Sequence, residues 1–238
     1  MYFAISPQFI KTFSIFSILF FLIGCTARKE SSLSSFQEGE SIVYRIQPAG
    51  KSILQDRGLV ELEGKVVRLI VFKTEVLGFS DTEKIYSDPE TVLPVRVERD
   101  ISMWLKKEKI IEEYDQEKYT LTVSKYHNNK KISEQKIEKD APIHHAVLLF
   151  FMLRKENDFK AGWKFTVHLI DDFTLRFQKI ETITVPAGSF SAYYFESTDN
   201  AFQVWMGVDS PRVPLKVKGL GKFGYTLDMK EYFIKQDD

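Results

Sequence analysis

The sequence has only one cysteine, Cys25, among 238 residues. An intramolecular disulfide is therefore excluded, and so are a cysteine-rich zinc site and a disulfide framework. Charge of one sign is not in excess either, because 33 Lys and Arg residues balance 33 Asp and Glu residues. A balanced chain has no net field to draw it to nucleic acid. The composition predicts a domain that is stabilised by its hydrophobic core and has no nucleic-acid partner.

The hydrophobic run near the N-terminus is short. The apolar run FSIFSILFFLIG, from Phe13 to Gly24, follows a single charged residue, Lys11. This run is too short to cross a bilayer as a lasting helix, which takes about 20 residues. Its length is typical of the apolar part of an export signal. We therefore predict a signal peptide over residues 1–24.

The predicted signal ends in a motif that indicates lipidation. Leu22-Ile23-Gly24-Cys25 resembles the bacterial lipobox, in which a branched apolar residue and a small residue precede a cysteine. The resemblance implies that diacylglycerol is attached to Cys25, that the chain is cleaved before it and that the freed amine is acylated. The alternative is a free cysteine at the end of an uncleaved signal or of a transmembrane anchor. Two or three acyl chains would make the membrane the chain's first partner, since one alone binds only marginally.

The residue after Cys25 bears on the destination of such a lipoprotein. In the enterobacterial sorting rule, Asp at this position favours retention in the inner membrane. This chain has Thr26 there. The resemblance therefore implies a bacterial envelope protein of the outer membrane, with its domain facing the periplasm.

The rest of the chain predicts a tether followed by one domain. Residues 25–38 are polar and Ser-rich without periodicity, which is typical of a flexible spacer. Beyond them no second linker is evident. We predict a flexible tether over residues 25–38 and a single β-rich domain over residues 39–238.

Alternation of apolar and polar residues predicts the strands of this domain, since an antiparallel strand buries one face. The clearest stretches are SIVYRI at 41–46, YTLTV at 119–123, FTVHL at 165–169 and FTLRF at 173–177. Turn-forming residues predict hairpin connections between strands. They are HNNKK at 127–131, IDD at 170–172 and PAGS at 186–189.

One segment breaks the alternation. Asp140 and Pro142 are typical of a helix start, and Arg154 and Lys155 of a helix end, so a helix is predicted over about 141–155. The segment is apolar nearly all round, which predicts burial. The predicted fold is mainly β, with a large curved antiparallel sheet, barrel-like or a two-layer sandwich, and one buried α-helix.

Each candidate motif for catalysis or metal binding lacks a required part. GLGKFG, at 219–224, fits a dinucleotide pattern but lacks the helix and the acidic residue that should follow. On a helix, His144 and His145 would point about 100° apart, and no third ligand stands near them. A serine-nucleophile motif is also absent. We predict no catalytic residue, no metal and no cofactor.

The aromatic residues leave two interpretations open. Trp104, Trp163 and Trp205 are spread along the predicted sheet, together with many Phe and Tyr residues. Large rings commonly fill a β core. They can also line a cavity for an acyl chain or another apolar ligand.

Several segments, taken in order, resemble the domain of unknown function 3108, a family of exported bacterial β-rich proteins. The segments are GESIVYRI, DPETVLPVRVERD, DAPIHHAVLLFFMLR, AGWKFTV, TVPAGSFSAYYFE and VWMGVDSPRVPLKVK. The matching positions are Gly39, Glu40, Tyr44, Arg154, Gly162, Gly188, Trp205, Asp209, Arg212 and Pro214. The resemblance implies a fold and export, and it transfers no activity. Asp209 and Arg212 are expected to pair across a turn, or to meet a ligand or partner together with Trp205.

Three functions remain open at this point. The first is a non-enzymatic, lipid-anchored binding or scaffold protein of the periplasm, with an envelope protein, a lipid or a glycan as its partner. The second is an envelope hydrolase whose site is assembled from scattered residues. The third is a surface-exposed lipoprotein that contacts a host or another cell.

Overall fold

The structure is a computed structural model, and it describes residues 36–104, 106–156, 158–199, 202–219 and 224–235. The predicted signal peptide at 1–24, the lipidation residue Cys25 and the predicted tether up to residue 35 lie outside the described residues. The described residues belong to one compact unit.

Strands dominate the described part of the chain, with one short helix near its middle. In chain order the elements are β1 (Glu40–Gln47), β2 (Lys51–Leu62), β3 (Lys65–Val76), β4 (Phe79–Ser87), β5 (Pro94–Met103), β6 (Lys106–Asp115), β7 (Thr120–His127), β8 (Lys130–Glu138), α1 (Leu149–Lys155), β9 (Lys164–Val167), β10 (Phe173–Val185), β11 (Gly188–Ser197), β12 (Phe202–Gly207), β13 (Pro214–Gly219) and β14 (Tyr225–Ile234).

All the strands belong to a single 14-stranded sheet. Its order is β8-β7-β6-β5-β4-β3-β2-β1-β14-β13-β12-β11-β10-β9, and every neighbouring pair is antiparallel. The sheet thus consists of two up-and-down halves, β1–β8 and β9–β14. The halves are joined where β1 pairs with β14. The prediction of a large antiparallel sheet is confirmed.

The sheet curls around its own core. β10 contacts β14 although three strands lie between them in the sheet. The turn after β10 closes this contact, because the Ala187 N–H donates to the Met229 carbonyl at 3.1 Å. Side chains from both halves, such as Ile70 and Val204, belong to the same hydrophobic core. This curvature corresponds to the barrel-like alternative of the predicted fold.

Local sequence explains the strands and turns. In the second half of β1, Tyr44 and Ile46 are buried while Arg45 and Gln47 are exposed, as two-residue alternation requires, whereas residues 40–43 are buried on both faces. At the turn between β7 and β8, Asn128 and Asn129 adopt φ values of 48° and 60°. Asn tolerates this left-handed conformation better than most residues. The predicted hairpins at 127–131, 170–172 and 186–189 are confirmed.

The predicted helix at about 141–155 is too long, because α1 covers only Leu149–Lys155. The preceding residues are held by partners outside the segment. The side chain of Gln116 accepts from the Ile143 N–H at 3.0 Å and donates to its carbonyl at 2.8 Å. The N–H of His144 donates to the carbonyl of His168 at 2.7 Å. These bonds replace the first turns of the predicted helix.

Helix α1 fills the inside of the curved sheet. Its residues Leu149, Phe151 and Leu153 are buried in the core, which agrees with the predicted burial. Phe36, which the sequence assigned to the tether, is also buried and lies 5.0 Å from the Phe151 ring. The folded domain therefore begins before the predicted boundary at residue 39.

Candidate functional site

The three residues predicted to meet a ligand or partner lie on β12 and in the loop that follows it. The structure gives each of them different surroundings. Trp205 is in β12, whereas Asp209 and Arg212 belong to the loop between β12 and β13. The lipidation residue Cys25 lies outside the described residues.

Trp205 is covered by neighbouring side chains. Its indole N–H donates to Glu181 at 2.8 Å, and this hydrogen bond lowers the pKa of Glu181. Its ring stacks on Tyr194 at 4.7 Å, and the Lys216 and Lys218 ammonium groups lie over it at 5.9 and 5.6 Å. Only 7% of Trp205 is exposed. The indole is therefore committed to packing and does not form an open platform.

Arg212 turns back into the domain. Its backbone has φ 55°, and its guanidinium lies 5.5 Å from the Phe159 ring centre and 5.3 Å from that of Tyr193. The guanidinium also donates to the carbonyl of Glu156, next to α1. The backbone N–H of Arg212 donates to the Asp209 carbonyl at 2.7 Å. Arg212 thus ties the loop to the core.

Asp209 lines a cleft of about 500 Å³. Its walls are the turn between β10 and β11, the loop between β12 and β13 and the second half of β14. The lining residues are Ala187, Phe190, Ser191, Gly207, Val208, Asp209, Ser210, Pro211, Val213, Leu215, Met229, Lys230, Glu231 and Tyr232. This volume falls in the range of small-molecule sites, about 300–1,000 Å³.

The cleft exists because β14 leaves β13 partway along its length. β13 pairs with β14 only from Tyr225 to Asp228. Beyond Asp228, the strand that pairs with β14 among the described residues is β1. The sheet therefore opens at this end, between β14 and the β12–β13 loop.

The floor and the rim of the cleft differ in polarity. Val213, Leu215 and Met229 are buried at its floor. Charged side chains, such as Lys230 and Glu231, are exposed at its rim. The cleft can therefore cover an apolar group while a polar group stays in water.

A buried ion pair lies near the cleft and connects α1 to β1. The Arg154 guanidinium donates to both carboxylate oxygens of Glu40, at 2.7 and 2.8 Å, and both side chains are 2% exposed. Its Nε donates to the Arg212 carbonyl at 3.3 Å. Beside the pair, the Tyr44 hydroxyl donates to the Pro214 carbonyl at 2.9 Å. Burial and the Glu40 charge raise the pKa of Tyr44 well above its ordinary value, which keeps this donor protonated.

This network was not predicted as a group. Its five residues were noted separately, as positions of the family resemblance, and they are far apart in the chain. Their order in the sequence gave no signal of contact. The structure shows that they hold the helix, the first strand and the β12–β13 loop together.

A second polar cluster lies on the core side of β4–β6, and the sequence gave no sign of it. Arg99 pairs with Asp81 and lies 3.5 Å from Glu83. Tyr114 donates to Glu112 at 2.6 Å, and burial together with Glu112 raises the pKa of Tyr114 well above its ordinary value. The cluster places charge beside the core without forming a recognisable catalytic arrangement.

Histidines 144 and 168, which looked unrelated in the sequence, are in contact. Their rings stack at 5.7 Å, and the His168 N–H donates to Nδ1 of His144 at 2.9 Å. Nδ1 of His168 lies 2.9 Å from Asp172, which also accepts from Lys139. Burial, with the neighbouring His168, lowers the pKa of His144 to about 4. The accepting nitrogen of His144 is therefore kept unprotonated.

The buried His144 should make stability depend on pH. Its folded pKa of about 4 lies below the value of about 6.5 in an unfolded chain. Between these values the unfolded chain binds more protons, so stability falls as pH is lowered from 6.5 to 4. We expect His144→Asn, which keeps an acceptor but does not titrate, to remove up to about 3 kcal/mol of this loss.

The check is urea denaturation at several pH values between 4 and 7. The matched control is His127→Asn, because His127 is exposed and contacts the Lys107 carbonyl at 3.1 Å. In this variant the free energy of unfolding should change with pH as it does in the wild type. If the free energy of unfolding of His144→Asn changes with pH as much as that of the wild type, His144 is not the group that causes the loss of stability.

Two further findings concern the described ranges. No group of three or more His, Cys, Asp or Glu side chains in them is arranged to hold a metal ion. None of their helical residues forms a segment with the length and apolarity that a bilayer crossing needs.

Comparison with known proteins supports the fold. The crystal structure of a β-barrel-like protein of domain of unknown function DUF1849 from Brucella abortus is similar, with a TM-score of 0.51 and 8% sequence identity. The similarity covers 83% of this chain and 98% of that chain. No curated protein matches the sequence. The family model for proteins of unknown function DUF3108 matches residues 41–230, and the chain therefore belongs to that family.

Proposed function

We propose that this protein is a lipid-anchored, non-enzymatic binding protein of the bacterial envelope, and that its cleft holds the apolar part of an amphipathic ligand. The observation that carries the proposal is the cleft of about 500 Å³, with its apolar floor and charged rim. Fold and family transfer no activity, so a function has to follow from the chemistry of this cleft.

The polarity of the cleft favours an apolar ligand over a glycan. Removing apolar surface from water contributes about 25 cal/mol per Å², and Val213, Leu215 and Met229 offer such a surface at the floor. A glycan would need stacking rings and converging polar groups. Two rings, Phe190 and Tyr232, do line the cleft, but the Tyr232 hydroxyl is bonded to Gln37, and Trp205 is covered and does not line the cleft. An acyl chain or a similar group fits the floor, and a polar head fits the rim.

The path of the chain supports a membrane source for this ligand. Tyr232 lines the cleft and donates to the side chain of Gln37, near the end of the predicted tether, at 3.1 Å. The tether therefore enters the domain beside the cleft. Lipidation of Cys25 would hold the domain to a bilayer through the flexible spacer, which leaves the cleft end and the opposite end of the domain both able to reach the membrane. With Thr26 after Cys25, we propose the outer membrane, facing the periplasm.

Filling the cleft should abolish ligand binding. Val208 lines the cleft and is half-buried, so Val208→Trp would place an indole in the ligand volume. We expect at least a tenfold loss of affinity, about 1.4 kcal/mol, for a fluorescent fatty acid. Native mass spectrometry of protein extracted gently from cells should show a bound lipid in the wild type and little in the variant.

The matched control is Val66→Trp, because Val66 is 64% exposed on β3 and does not line the cleft. It should bind as the wild type does. A wild-type protein that is extracted empty, with a stable protein partner, would contradict the carrier role and favour a scaffold. Equal binding by both variants would place the ligand elsewhere.

A further inference from the structure

The end of the sheet opposite the cleft carries exposed apolar side chains. Alternate turns of an up-and-down sheet lie at opposite ends, so the β3–β4 and β5–β6 turns lie away from the β12–β13 loop. At these two turns Leu77 is 89% exposed, Trp104 78% and Met103 49%. We call these three residues the apolar tip. A large ring at such a position gains nothing from core packing.

The two turns build the tip together. The Trp104 N–H donates to the Gly78 carbonyl at 2.8 Å. Gly78 has φ 73°, and a Cβ there would come within 2.9 Å of the Trp104 ring. Trp104 itself has φ 55°, a left-handed conformation that costs a non-glycine residue free energy. Strained backbone and a required glycine thus hold the indole outward.

Lysines surround the tip although the whole chain has no net charge. Lys106 and Lys107 begin β6 directly beyond this turn, and Lys130 begins β8 in the next hairpin. Nδ1 of His127 contacts the Lys107 carbonyl at 3.1 Å, which joins the two hairpins. In the part of the chain that the structure describes, no carboxylate pairs with Lys106, Lys107 or Lys130. The tip therefore has a local positive field.

We propose that the apolar tip is a second membrane-contact site, which inserts Leu77 and Trp104 into the surface of an anionic lipid bilayer. Trp prefers the boundary between head groups and acyl chains, where its ring is apolar and its N–H stays hydrated. Lysines next to it can reach anionic head groups while their stems lie along apolar surface.

The shape of the tip favours a bilayer over a protein partner. A stable protein interface buries about 800 Å² on each partner, usually around a packed centre. The tip offers three protruding side chains and unpaired lysines instead of a broad face. Protruding apolar groups ringed by cations match the layered chemistry of an anionic bilayer.

Quenching of Trp104 by brominated lipid tests the proposal with the full chain. The chain is reconstituted into vesicles of phosphatidylethanolamine and phosphatidylglycerol, with and without bromine on the acyl chains. The Trp104 signal is the difference between wild type and Trp104→Phe. We expect bromine to quench most of this signal, and vesicles of phosphatidylcholine alone to give much less quenching. Lys106→Gln with Lys107→Gln should weaken the contact at least about tenfold.

The tip variant is Leu77→Asp, and its matched control is Val66→Asp, at an exposed position near the other end of β3. Circular dichroism confirms that both fold. The proposal requires quenching to be lost in the first and kept in the second. Quenching that is absent from the wild type, or equal in both variants, overturns it. So does a blue shift of Trp104 emission with protein concentration in the absence of vesicles, because a second copy of the chain would then cover the tip.

Discussion

Replacing Arg154 with methionine is expected to lower the free energy of unfolding by about 3–5 kcal/mol. The variant leaves the Glu40 carboxylate buried, at 2% exposure, without the two hydrogen bonds that Arg154 supplies. A buried charge without a partner costs far more than the pair itself contributes. The bond from Arg154 to the Arg212 carbonyl is lost as well. Chemical denaturation followed by circular dichroism measures the change.

Two further variants separate the effect of breaking the buried ion pair from the effect of losing an arginine. Arg57 is exposed and its side chain donates to Gln55 at 2.7 Å, so Arg57→Met should change stability by less than about 0.5 kcal/mol. Adding Glu40→Leu to Arg154→Met should recover most of the loss, because no charge then stays buried. A loss below about 1 kcal/mol in Arg154→Met would show that water or another group satisfies Glu40.

Replacing Cys25 with serine is expected to remove the anchor that we propose. A serine oxygen does not form the thioether, so the chain should lose metabolic labelling with palmitate and should no longer be processed as a lipoprotein. Two or three acyl chains make membrane attachment effectively permanent, since each buried CH₂ contributes about 0.8 kcal/mol. Detergent-phase partitioning should therefore fall to background in any chains that lose residues 1–24 by another route, whereas unprocessed chains keep the apolar run Phe13–Gly24 and are recognised by their larger mass.

Thr26→Ser is the control for this variant, because it keeps the lipobox and the residue size nearly unchanged. It should label and partition as the wild type does. Membrane fractions are washed at high salt, which removes contacts that depend on lysines. A Cys25→Ser chain that still partitions into detergent and keeps wild-type processing would contradict the lipid anchor.

Strands and turns were predictable because their causes are local. Alternation over a few residues is enough to place β1, β9 and the start of β10, and Asn128-Asn129 is enough to place a hairpin. The predicted start of the helix was wrong because its cause is not local. Asp140 and Pro142 carry ordinary start signals, yet Gln116 and His168 bind the backbone that would have made the first turns. Those partners come from distant strands, so no local signal could reveal them.

The candidate site was predictable only in its pieces. Glu40 and Arg154 stand 114 positions apart, and one sequence does not show that they touch. The cleft depends on the point where β14 leaves β13 and on the curl that brings the β10–β11 turn to Met229. Trp205 was predicted as a possible contact residue from its position in the family resemblance, but Glu181 and Tyr194 already engage it. Strand register explains the contacts of Trp205, and the curvature of the sheet explains the cleft.

The pairing of β1 with β14 also sets the order in which the sheet can be completed. If β1 to β8 pair one after another as the chain emerges with its N-terminus first, Glu40 can meet Arg154 soon afterwards. The free edge of β1 must nevertheless wait for the last strand, and an open edge is a template for association with other chains. The β1–β14 pairing near the centre of the finished sheet is thus the last to form, and a chain that stops before β14 leaves the edge of β1 open to association with other chains.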